Sequence, residues 1–195
     1  SDAPIEFRSG ADQELGGQNA GLAKSRTQTD GSAEIVLPRD FDECMLAHEI
    51  LHVVLKRRGI PQVVKWPHLE GPFTLLVTHL EDAMHHPPLF HELRGRGFDD
   101  RPYWRDFVDK VGTWEGSDST KASEAIGRAF LISELITLST ENPASVIEAR
   151  RKTHPISVEL GEAVARVLQP DNGMLWSRSS KMRRAALRVL RYLTE

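Results

Sequence analysis

A single cysteine, Cys44, is all the thiol in this chain of 195 residues. A disulfide framework is therefore excluded, and a packed core must hold the fold. Long apolar runs are also missing: none approaches the roughly 20 residues that a membrane-spanning helix needs. Charge of one sign is scarce too, since 25 Lys and Arg face 28 Asp and Glu for a net charge of −3. No whole-molecule field draws such a chain to nucleic acid, which is not expected as a partner. Residues 1–30 hold no apolar h-region, so no secretory signal is expected there. With the lone thiol, this gives the expectation of a cytoplasmic protein. What remains is an ordinary globular composition, 39% hydrophobic and 27% charged, in a chain of 21.9 kDa. That length can bury a proper core.

Residues 9–32 are rich in Gly, Ser, Gln and Asp. They offer too little apolar surface to offset ordering, so the expectation is a loop. A short strand is weakly suggested over residues 4–8, and a better one over AEIVL at 33–37, stopped by Pro38. A helix follows over residues 41 to about 58, with Asp40 as N-cap, Glu43 as its capping-box partner and Gly59 as terminator. Its centre is apolar on nearly every face, the pattern of a buried helix. A second helix is expected from Pro72 to just before Pro87-Pro88, then a short helical turn over 89–96. Asp100 caps another to about Val111, and further helices fit 119–139, 143–152, 156–168 and 178–194. The expected fold class is α+β, mainly α: a small N-terminal sheet packed on a central helix, then a helical C-terminal part. The expected division is a loop-like segment over 1–32, a core over 33–115, and a helical part over 116–195 packed on that core.

Inside the first helix stands His48-Glu49-Ile50-Leu51-His52. Two histidines at i and i+4 share one helix face, so both imidazoles can converge on one ion. Zinc suits such nitrogen ligands, at about 2.0–2.1 Å. Glu49, one residue along, projects beside the metal, where it can take a proton from activated water. With 8 histidines and 16 glutamates, the pattern arises by chance somewhere in the chain with odds of roughly 0.03. Burying these polar groups among Leu46, Ala47, Ile50 and Leu51 is costly unless something pairs them. The plainer alternative is a pair of exposed or hydrogen-bonded histidines on a half-buried helix.

AHEILHVVL, preceded by AEIVL, resembles the zincin metallopeptidases over roughly residues 33–90. The resemblance implies a zinc ion, peptide-bond hydrolysis with Glu49 as general base, and an edge strand at 33–37 that holds an extended substrate by β-addition. The metzincin extension is absent, Leu55 and Arg58 standing where its glycine and third histidine belong. The gluzincin plan instead implies a carboxylate on a downstream helix, for which residues 78–86 are the best stretch. Glu81 is the first choice as third ligand beside His48 and His52, with His85 one turn on to orient the site or stabilise an oxyanion. Asp82 with His86 offers the same geometry rotated by about 100°, and a histidine ligand is the remaining option. The gluzincin Asn-Glu-x-x-Ser-Asp pattern is not reproduced: Leu80 precedes Glu81, and His85 stands where an aspartate belongs.

For several other residues structural roles are expected. His68 and His91 read as surface histidines, Cys44 as a small core residue, and Trp66, Tyr103, Trp104 and Trp114 as core packing rather than a substrate pocket. The basic amphipathic stretch over 177–195 reads as a solvated helix face. The expected function is a zinc-dependent metallopeptidase acting on a protein or peptide substrate, with no membrane partner. The alternatives are a catalytically silent zincin-like scaffold whose structural metal helps bind a protein, and a metal-free helical regulator.

Overall fold

The computed structural model describes residues 3–9, 23–28, 30–60, 72–118 and 122–168. Three strands and six helices follow in the order β1 (Ile5–Ser9), β2 (Lys24–Thr27), β3 (Ala33–Leu37), α1 (Glu43–Arg57), α2 (Pro72–Gly95), α3 (Arg101–Gly112), α4 (Ala122–Leu138), α5 (Ala144–Thr153) and α6 (Pro155–Leu168). Among the described residues the fold is thus mainly helical with one small sheet, as the α+β expectation has it. No helix among them is long and apolar enough to cross a membrane. Trp66, His68 and residues 178–194 lie outside the described residues.

Two units divide the chain: Ser1–Ile60 with Leu89–Asp99, and Pro61–Pro88 with Asp100–Glu195. In the first, β3 is the central strand, parallel to β1 and antiparallel to β2. Alternation along β3 sends Ala33, Ile35 and Leu37 inward. They form a core with Val53 of α1, packed by Leu46 and Ile50. Arg57, in the last turn of α1, donates to the carbonyls of Ala3, Pro4 and Gly31 and so ties that helix end to the strand entries.

Four local expectations give way here. β3 is not an edge strand, because both its edges carry ladder bonds; an apolar strand buried at alternate positions is one that neighbours cover. Lys24–Thr27, within the stretch expected to be loop-like, forms β2. Its charged residues suit an edge strand, which needs polarity to discourage further pairing. The cap of α1 is Asp42 rather than Asp40, and its carboxylate accepts from the Met45 amide at 2.7 Å. Finally, α2 runs unbroken through Pro87 and Pro88. Two prolines remove two ladder donors, but Met84, Leu89, Phe90 and Leu93 around them are fully buried. Packing on both sides outweighs the local preference to break.

In the second unit α4 and α6 approach closely. A Cβ at Gly161 of α6 would come within 2.6 Å of the Ile132 side chain and 2.7 Å of the Ala129 carbonyl oxygen. Glycine is what allows this contact. The N-terminus of α6 is capped from a distant loop: Asp118 accepts from the amides of Ile156 and Ser157 and from the Ser157 hydroxyl. Trp104, wholly buried, donates its indole N–H to Asp100 at 2.8 Å. Asp100 does occupy the N-cap position of α3, but its carboxylate serves the tryptophan and makes no cap bond.

Candidate metal centre

On α1, Leu46, Ile50 and Val53 face the sheet. At 100° per residue His48 stands about 200° from Leu46, so the histidine pair occupies the opposite face. There the two Nε2 atoms lie 3.1 Å apart, with the rings edge to face at 4.8 Å. The ring of His48 also meets Phe90 of α2 edge to face at 5.4 Å. Ion pairing between Arg58 and Glu92, 2.7 Å, joins the same two helices further along.

His86 precedes Phe90 by one turn of the continuous helix α2. His48, His52 and His86 each offer a ligand nitrogen, and these atoms lie within 4.8 Å of one another. His52 and His86 are buried, at 8% and 7% exposure, and His48 is half-buried. This arrangement could hold a metal ion and is compatible with a zincin site. The donor chemistry fits: two nitrogens on a tetrahedral ion at about 2.0–2.1 Å are about 3.3 Å apart. The His48–His52 separation of 3.1 Å is close to that value.

His86 is further held from behind. Its Nδ1 is 2.7 Å from Oε1 of Glu134, a residue of α4 that is itself buried. One turn back on α2, then one more, His79 stacks on Phe130 of α4 with ring centroids 5.8 Å apart. Burial pushes His79 below its ordinary pKa of 6.5, and the charge of Glu134 pulls the other way.

Glu49 is buried, at 8%, one residue beyond His48 on α1. Glu81 is half-buried on α2 and is not among the three converging residues. The reason is rotational: it stands five residues before His86, about 140° around the helix. Asp82, half-buried, lies one turn before His86 on the same side, and is likewise outside the group. Among the described residues, the group that could hold a metal includes a histidine, His86, and neither Glu81 nor Asp82. His85 is buried, at 1% exposure, about 100° around from His86. Cys44 is half-buried, in no disulfide, and stands one turn before His48, and His91 is exposed. Trp104 packs in the core as expected, with Tyr103 and Phe107 against it.

Glu134 went unanticipated, although the sequence carried a signal for it. It is a lone carboxylate in the apolar run Ala129-Phe130-Leu131-Ile132-Ser133-Glu134-Leu135-Ile136, and a charge in such a run asks for a partner. Comparison with known proteins finds no family model, no curated protein and no solved structure that matches this chain.

Proposed function

We propose that this protein is a zinc-dependent peptidase whose ion is held by His48, His52 and His86, with Glu49 as general base. The observation that carries the proposal is the group of three histidines that could hold a metal, His48 and His52 on the helix that bears Glu49 and His86 on α2. Three protein ligands is the number in catalytic zinc sites, which keep a fourth position open, whereas structural sites fill all four. Zinc, when bound, polarises the scissile carbonyl and lowers the pKa of a coordinated water to about 7. Glu49 takes the proton of the attacking water and delivers it to the departing amide nitrogen. Its buried position shields that transfer from bulk solvent. Glu81 has no ligand role in this scheme.

Metal content decides the first half. Protein prepared without a metal-affinity column, examined by plasma mass spectrometry, should hold one zinc per chain. His48→Ala and His86→Ala should lose it, and Glu49→Gln should keep it. For the second half, a quenched-fluorescence random peptide library should be cleaved by the parent, with Glu49→Gln slowed at least 100-fold. Equal activity of Glu49→Gln and parent refutes the mechanism. Zinc retained with no cleavage by the parent favours the silent scaffold, and no zinc at micromolar supply favours the metal-free regulator.

A further inference from the structure

We propose that Glu134 is a positioning residue for the metal: its carboxylate fixes the ring and tautomer of His86 so that Nε2 is turned to the ion. The inference rests on the metal-centre reading above and adds to it a residue 48 positions downstream on another helix.

The argument starts from the donors. A carboxylate only accepts hydrogen bonds, so the 2.7 Å contact with Oε1 requires the proton of a neutral His86 ring on Nδ1. The lone pair is then on Nε2, the atom left for the metal. Both side chains are buried, 9% and 7% exposed, so water does not compete for this bond. Hydrogen bonding to the carboxylate also makes the imidazole a stronger ligand.

Helix register places the carboxylate. Gly127, Phe130 and Glu134 share one face of α4, and His79 and His86 share one face of α2, both at helical spacing. His79 stacks on Phe130, and a Cβ at Gly127 would come 3.3 Å from its Nε2. Seven residues along each helix, Glu134 meets His86. Small and flat groups at 127 and 79 thus set the distance at which the third pair meets. Charge supplies the last point: a divalent cation on the far nitrogen offsets the charge of the buried carboxylate behind the ring.

The test measures zinc affinity by competition with a chromophoric chelator, alongside the thermal midpoint of the metal-free protein. Glu134→Ala should weaken zinc binding about 10–100-fold. Glu134→Gln, whose amide oxygen still accepts from Nδ1, should weaken it less while its metal-free midpoint stays with the parent. A purely structural role reverses this pattern, moving the metal-free midpoint and leaving affinity alone. Both variants binding zinc within threefold of the parent overturns the inference while leaving the metal centre standing. A parent that takes up no zinc overturns the metal-centre reading itself.

Discussion

Gly161→Ala should destabilise this protein although alanine is the better helix former. The position lies inside α6, where replacing glycine ordinarily gains up to about 1 kcal/mol. Here the new methyl would sit 2.6 Å from Cβ and Cγ2 of Ile132 and 2.7 Å from the Ala129 carbonyl oxygen. The carbon contacts lie about 0.8 Å inside the 3.4 Å at which ordinary contact begins. Neither neighbour is the free end of a flexible side chain: one is a β-branched stem, the other backbone. Relief therefore means moving α4 from α6, and overpacking of this kind costs about 1–3 kcal/mol. The expected net loss is about 1–2 kcal/mol, or a thermal midpoint lower by roughly 2–8 °C in a chain of this size. Gly95→Ala is the control, since it ends α2 with nothing within 4 Å and no positive φ. It should be neutral or gain a few tenths of a kcal/mol. Thermal and urea unfolding followed by circular dichroism would measure both. A midpoint for Gly161→Ala equal to or above the parent's would show that α4 and α6 do not meet as described.

Asp118→Ala removes the acceptor for two amides and a hydroxyl at the start of α6 and should cost about 1–2 kcal/mol in urea unfolding. Asp118→Asn should recover part of that loss, because its amide oxygen can still accept. Acid should weaken the fold through His154, which is wholly buried and held below its ordinary pKa of 6.5 by burial and by the charges of Arg128 and Arg150. The sign follows from linkage: unfolded chains take up the proton below pH 6.5 while the folded chain resists it. Stability from this group is thus fully present above 6.5 and is lost as pH falls toward the lowered folded value. Urea midpoints between about pH 7.5 and 5 should fall in the parent and fall less in His154→Phe. Equal slopes would remove His154 from the explanation. His79, depressed in the same direction, should account for part of the residual slope.

The prolines of α2 show where local reading stops. Pro87 and Pro88 each weaken the ladder and bias the preceding residue away from helix, so a break before them is the sound local expectation. Buried neighbours on both sides overrule it, and only their packing could say so. The strand at 33–37 divides the same way. Its existence and its inward residues follow from alternation, whereas its central place depends on β1 and β2, whose residues carry weak strand signals.

The proposed metal centre splits along the same line. The placing of His48, Glu49 and His52 follows from the sequence alone, because helical spacing carries the two proposed ligands and the proposed base to neighbouring positions wherever that helix is formed. Which residue completes them is a question of rotation and register. Glu81 and His86 are five residues apart on one helix, and about 140° separates their directions. Nothing within α2 chooses between them. The contacts α2 makes within each unit are tertiary: Phe90 meets His48 in the first, and Gly127, Phe130 and Glu134 meet His79 and His86 in the second. Local sequence can specify a spacing along one helix, but only packing specifies the angle at which one helix faces another.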